Sequence, residues 1–327
     1  MNRRRAAVRA YLFYLEHEVK ISPELQAKKV DVALTWITFP REPVDYPKDI
    51  VEQAGRVYTK FQEESWGVDA DPEEAESDEE VAPDAALPVT RSARTIRADS
   101  VRTSAAILPP PSHHIWGIRG IMHGLARKVN KRGGYSYIFD KRYISKKKDF
   151  WVIGNNGLTP GAWWPLQRLA LFHGAHGSAG GGISGSPIHG CYSIVVSGRS
   201  VYHDMDEDRG ETLFYSADNS VHNTNRNAVD TITNRTRSLQ VSHREGRPVR
   251  VLRSQGGTRA YAPKVGIRYD GLYRVVKQLE RTNRSGGRYL QFKLQRLEEQ
   301  RPFAETVAAA PTAQQQRDFH ESRREYH

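Results

Sequence analysis

Apolar residues recur at helical spacing through the first 65 positions. Val8, Tyr11, Leu12 and Leu15 share one face, Val30, Ala33, Leu34 and Ile37 a second, and Ile50, Ala54, Val57, Tyr58 and Phe61 a third. Ser22-Pro23-Glu24 supplies a capping residue, a first-turn proline and an acid ahead of the second stretch, and Pro40 and Pro43 end it. The spacing predicts three short helices packed as a bundle over residues 1–66. From about residue 150 the period shortens to that of strands. Cys191–Val196 is an apolar run of strand length, and Val249 and Val251 flank Arg250. Leu272, Tyr273, Val275 and Val276 follow a glycine, and Leu290, Phe292 and Leu294 alternate with polar neighbours. Gly, Asn and Ser turns separate these runs. The fold predicted is α+β: a twisted β-sheet or partly closed barrel with few helices, preceded by the bundle.

Between the two patterns the chain has little to bury. Nine acids from Asp69 to Asp84 stand without a base among them, and Pro109-Pro110-Pro111 follows, so 67–111 reads as a disordered linker. Residues 300–327 read as a flexible tail. Charge changes the picture further. The 327 residues carry 49 Lys and Arg against 38 Asp and Glu, a net +11, and without the nine acids the remainder stands at +20. Such a surplus favours an anionic partner, a nucleic acid or an acidic membrane surface. Arg127–Arg132 and Lys141–Lys148 form a basic arm suited to a phosphate surface or a nuclear-import signal.

Several chemistries are excluded. The one cysteine, Cys191, allows neither an internal disulfide nor a Cys-based zinc site. No apolar run is long enough to span a membrane, and Arg9, Glu16, Glu18 and Lys20 interrupt what would be a signal-peptide core, so the chain reads as intracellular. Gly180, Gly182 and Gly185 match a dinucleotide fingerprint in spacing but lead into Pro187 and a strand instead of a helix. Asp204, Asp206 and Asp208 imitate a calcium loop that lacks its glycine and terminal glutamate. His173 and His176 have no third ligand, so no metal or other cofactor is expected.

Four blocks in order carry a resemblance to the SRA–YDG domain, the SET- and RING-associated module that reads modified cytosine in DNA. They are Gly182-Ile183-Ser184-Gly185 with Gly190–Gly198; Tyr202–Gly210; Gly246–Arg253; and Tyr261-Ala262-Pro263 with Gly266–Val275, which holds Tyr269-Asp270-Gly271. Phe292–Arg296 is similar to the closing strand. Trp116–Ile121 resembles the opening, which sets the domain at 112–299 with a basic insertion near 122–157. The resemblance implies that a base flipped from the duplex enters a pocket. Tyr202 and Tyr215 would be the stacking rings, and Ser216 would stand beside the methyl group. The backbone of Ser197 and Gly198 would form the floor. A carboxylate would accept from the cytosine amine. The acidic loop is one residue longer than the family pattern. Counted back from Gly210 the carboxylate is Asp206, with Asp204 as second choice, whereas the forward count lands on Met205. Tyr269-Asp270-Gly271 reads as a structural turn.

Departures stand beside these matches. Arg199, Ser200 and Val201 precede Tyr202, Ser216-Ala217-Asp218-Asn219 replaces a glycine-rich run, and the loop that would enter the major groove is short. Asn225-Arg226 is the candidate for that finger. Arg250, Arg253, Arg268 and Arg274 are the further candidates for DNA contact. Residues 217–296 hold seventeen bases and five acids, the excess that phosphate contacts need. The expectation is a nuclear, non-enzymatic reader of 5-methyl-type cytosine in double-stranded DNA, acting in chromatin, with the bundle recruiting chromatin proteins. The alternative is a chromatin scaffold that holds DNA by charge alone and works through protein contacts. RING, SET and HNH signatures do not occur in the sequence, so ligase activity would come from a partner.

Overall fold

The computed structural model describes residues 2–19, 21–22, 24–38, 46–63, 106–129, 135–198, 202 and 205–323. Most of the expected linker and Asp204 lie outside the described residues. Four helices build the N-terminal module: α1 (Asn2–His17), α2 (Glu24–Ala27), α3 (Val30–Thr38) and α4 (Lys48–Glu63). The second predicted helix is split because Lys29 adopts a positive φ of 60°. Leu12, Leu15, Leu34, Ile50, Ala54, Val57 and Phe61 are buried together, so the predicted apolar faces meet one another. The edge of Trp151 packs on Tyr58 at 5.1 Å, which ties the module to the main domain.

A three-stranded sheet follows, ordered β1 (Ala106–Ile107), β2 (Leu125–Val129), β3 (Tyr135–Phe139). The β2–β3 hairpin occupies the expected basic insertion. After β4 (Trp163–Trp164) and α5 (Gln167–Phe172) come β5 (Ile183–Ser186), β6 (Gly190–Val196), β7 (Glu207–Asp208), β8 (Thr212–Ser216), α6 (Asn234–Glu245), β9 (Pro248–Ser254), β10 (Ile267–Thr282) and β11 (Arg288–Arg296). The main sheet runs β5-β6-β9-β10-β11-β8-β7, with β4 paired to β10. β6 and β9 are parallel, as their long connection through α6 allows, and the other pairs are antiparallel. Helix α6 is capped by Thr233, whose hydroxyl accepts from the Thr236 amide, and stops at Gly246 in the left-handed region. The sheet is open: among the described residues no ladder joins β5 to β7, so the architecture is a sheet-dominated α+β fold and not a closed barrel. Ile194, Val249, Val251, Tyr273, Phe292 and Leu294 form its core with Leu239 of α6.

The expected flexible tail is a correction. Residues 303–321 form α7 (Phe303–Ala309) and α8 (Ala313–Glu321), with Thr306 and Phe319 buried. Arg268 donates to the Ala310 carbonyl at 3.1 Å, Arg296 to the Arg301 carbonyl at 2.7 Å and Arg127 to the Ser322 carbonyl at 2.8 Å, so core arginines anchor the segment. Thr312 and Gln315 form a reciprocal capping box at the start of α8. Among the described residues no helix is long and apolar enough to cross a membrane.

Candidate functional site

Strand β8 places Tyr215 opposite Phe292 of β11, and the Tyr215 hydroxyl donates to the Val195 carbonyl of β6 at 3.2 Å. A Cβ on residue 182 would lie 2.5 Å from that hydroxyl, which explains a glycine at this position. One residue on, the Ser216 amide donates to Oδ1 of Asp206 at 2.7 Å. The acidic loop is fastened on every side. Met205 and Asp206 amides close a turn on the Tyr202 carbonyl, and Gln291 donates to the Met205 carbonyl at 2.6 Å. Arg253 grips both oxygens of Asp208 at 2.8 Å, two residues past Asp206. The Tyr202 hydroxyl accepts from the Asn219 amide at 2.9 Å.

These residues border a cavity of about 390 Å³ whose walls include Tyr202, Asp206, Tyr215, Ser216 and Ser197. Of the two positions the counts give, Asp206 lies on the cavity wall and Met205 does not, its main-chain carbonyl accepting from Gln291. Burial, helped by the nearby Asp208 charge, pushes the Asp206 carboxyl up to about 7, against the hydrogen bond from the Ser216 amide, which lowers it. His176 sits behind the glycine wall. Its Nε2 faces the Gly181 carbonyl at 2.7 Å and so carries the proton, leaving Nδ1 to accept from the Ser193 hydroxyl at 2.8 Å. Burial takes this imidazole down to about 4. Among the described residues no cluster of three or more His, Cys, Asp or Glu could hold a metal ion; half-buried His173 packs on Trp164 and Phe172, and buried His176 makes the hydrogen bonds just given.

Five sequence assignments need correction. Gly198 is not a cavity wall: a Cβ there would lie 1.8 Å from the Gly256 carbonyl oxygen, so it serves close backbone packing. Arg250 is fully buried and donates to the carbonyls of Ala175, Val152, Gly154 and Phe150. Arg253 and Arg268 are buried on Asp270, at 2.7 and 2.5 Å. Three of the four strand arginines thus have their guanidinium groups satisfied inside the protein and cannot reach a phosphate. Asp270 is the hub that joins Arg253 and Arg268, and Gly271 beside it has a φ of 112° and a Cβ position 2.6 Å from Gln300. Tyr269-Asp270-Gly271 is not the turn expected: it lies inside β10, at a register shift against β9 between Tyr269 and Gly271.

Arg274, Asn225 and Arg226 are exposed. The Asn225 carbonyl accepts from the Arg288 amide at 2.9 Å, and Arg226 lies against Gly286. The short finger is therefore braced on the β10–β11 hairpin tip, where Arg284 and Arg288 are also exposed. Sequence reading missed these two arginines because nothing local links 225 to 288. It also missed Tyr135, Arg235, Phe319 and Arg323, which border the cavity from distant parts of the chain, as does Arg127 of the basic arm.

Comparison with known proteins places these features in a family. Residues 152–300 match the SAD/SRA domain. The E3 ubiquitin-protein ligase ORTHRUS 1 of Arabidopsis thaliana is 35% identical over 134 residues, which are 38% of this chain and 21% of that protein. The E3 ubiquitin-protein ligase UHRF1 of Bos taurus is 30% identical over 182 residues, 47% of this chain and 23% of that protein. The chain thus spans about a fifth of the length of these curated relatives. Among solved structures, the SUVH5 SRA complex with hemimethylated CG DNA has 25% identity and a TM-score of 0.39, covering 46% of this chain and 97% of that one. The modification-dependent TagI restriction endonuclease has 28% identity and a TM-score of 0.39, covering 50% and 58%. All four sequence blocks, and Tyr202, Asp206, Tyr215 and Ser216 with them, fall within the matched segment, so over residues 152–300 this chain is similar to the SAD/SRA domain.

Proposed function

We propose that the chain reads 5-methyl-type cytosine in double-stranded DNA by taking the extruded base into the cavity at Tyr202, Tyr215, Asp206 and Ser216. The observation that carries this reading is the convergence of two aromatic rings, one carboxyl and one small hydroxyl residue on a single cavity. Extruding a base takes a few kcal/mol, about what stacking on aromatic rings can return at 1–3 kcal/mol per base. The carboxyl distinguishes cytosine, whose exocyclic amine donates, from thymine, which presents a carbonyl there. Burying one methyl contributes about 0.8 kcal/mol, so discrimination between modified and plain cytosine rests on fit beside Ser216. Asn225, Arg226, Arg274, Arg284 and Arg288 supply the phosphate-facing surface.

In this reading the protein works in the nucleus, on chromatin, as a reader and not as an enzyme. The N-terminal helices offer a surface for chromatin proteins, and ubiquitin transfer, the activity named for its relatives, comes from a partner. The test is binding to matched duplexes with unmodified, hemimethylated, fully methylated or hydroxymethylated cytosine, for the parent and for Tyr202→Ala and Tyr215→Ala. A preference for one modified duplex, lost in both variants, is expected. Equal affinity for all duplexes, unchanged by either substitution, would leave a scaffold that holds DNA by charge alone.

A further inference from the structure

The cavity is larger than one pyrimidine requires; at about 390 Å³ it falls in the range that encloses drug-sized ligands. Its chemistry is also unequal from wall to wall. The two acids among its described lining residues, Asp206 and Asp218, both come from the SRA segment, and Asp218 faces Arg235 at 3.9 Å. Another wall comes from outside residues 152–300. Here β2–β3 contributes Arg127, Tyr135 and Tyr137, and the C-terminal segment contributes Phe319, Ser322 and Arg323. Arg127 lies over the rings of Trp116 and Tyr135, at 4.8 and 5.4 Å, and its contact with the Ser322 carbonyl binds hairpin and helix into one unit. Arg323 lies over Phe319 at 4.9 Å and is exposed. The exposed guanidinium of Arg323 and three aromatic rings, with the buried Arg127 bracing the wall and no carboxylate among them, match an anion joined to a flat heterocycle.

We propose that this wall is a second nucleotide subsite, which takes the phosphodiester and base of the residue next to the extruded cytosine in the same strand. The proposal rests on the reading of Tyr202, Tyr215 and Asp206 as the pocket for the extruded base. A strand entering the cavity carries its neighbouring phosphate with it, and the wall that meets this phosphate is the one free of acids. The C-terminal helix and the hairpin are thereby parts of the recognition site and not accessories to it.

The test uses the full chain and duplexes carrying methylcytosine with 2-aminopurine at the position on its 5′ or its 3′ side. For the parent, fluorescence rises on binding for one of the two placements, reporting an unstacked neighbour. Arg323→Glu and Tyr135→Ala abolish that rise and weaken binding about tenfold, while Tyr202→Ala abolishes the preference for modified over plain duplex. Because Arg323 is exposed, its variant keeps the parent melting curve. Unchanged fluorescence and affinity in Arg323→Glu and Tyr135→Ala, with Tyr202→Ala still losing the preference, would overturn the second subsite and leave the reader intact. No effect of Tyr202→Ala would overturn the reader itself. A free deoxynucleotide such as dAMP tests the source: tight binding of dAMP without any modified cytosine would overturn the claim that the nucleotide arrives on the strand.

Discussion

Asp206 shows how one side chain links the pocket to solvent conditions. Its carboxyl is held at about 7 in the fold, against about 3.9 for an unperturbed aspartate. Over that interval the folded chain keeps a proton that the unfolded chain has released, so this residue lowers stability as pH rises from about 4 to about 7. Asp206→Asn removes the effect, and its melting midpoint should gain on the parent's between about pH 5 and pH 7 and hold a constant lead above that. A difference that shrinks as pH rises would contradict the assignment. His176 acts in the opposite sense. Its folded value of about 4 lies below the free value of about 6.5, so its contribution is lost as pH falls through that window. The parent-minus-variant comparison isolates Asp206 from it. Asp270 presents a different case, since it holds two buried guanidinium groups and has no exposed surface. Asp270→Ala leaves Arg268 buried without its counter-charge, while Arg253 keeps Asp208, and should destabilise the fold by about 3–5 kcal/mol, read as a lower urea midpoint.

Elements differ in how far the sequence disclosed them. Strand β6 was legible as a continuous apolar run, buried along its whole length, and β9, β10 and β11 because the apolar positions along them mark a face in a core. The apolar faces of α1, α3 and α4 were legible for the same reason. The arginines of β9 and β10 were misread because a basic residue in a strand looks the same whether it meets a phosphate or a backbone carbonyl. Arg250 does the latter, with four carbonyls. Helix α8 was missed although Thr312-Ala313-Gln314-Gln315 spells a capping box, because its packing partners Trp163 and Arg127 lie about 150 or more residues away. Thr312→Ala tests whether that box holds the helix in place. About 1 kcal/mol should be lost from the cap, and hydrogen exchange should quicken across 313–321 while β10 and β11 keep their protection. The pocket's Tyr202, Asp206, Tyr215 and Ser216 were reachable from local motifs. The wall of Arg127, Tyr135 and Phe319 was not, since only the fold brings it there.

At the scale of the molecule, charge is the property that folding revises most. Of the seventeen bases in 217–296, Arg250, Arg253, Arg268 and Arg296 are buried, and of the five acids Asp270 is. Thirteen bases and four acids remain to face solvent or partner, so the field is weaker than the sequence total but is concentrated where it can act. Arg226, Arg284 and Arg288 stand together at the hairpin tip, next to the loop that leads back through Asn219 to Tyr202. If about six phosphates are engaged, log affinity should fall against log salt with a slope near −5. Replacing these three arginines by alanine should lower that slope by about 2.7, while leaving the ratio of modified to unmodified affinity where it was, because phosphate contacts position a duplex without reading it. A ratio that collapses together with the slope would place the three arginines in base recognition; a slope that does not move would place the phosphate surface on another face, with Arg274 the next residue to replace.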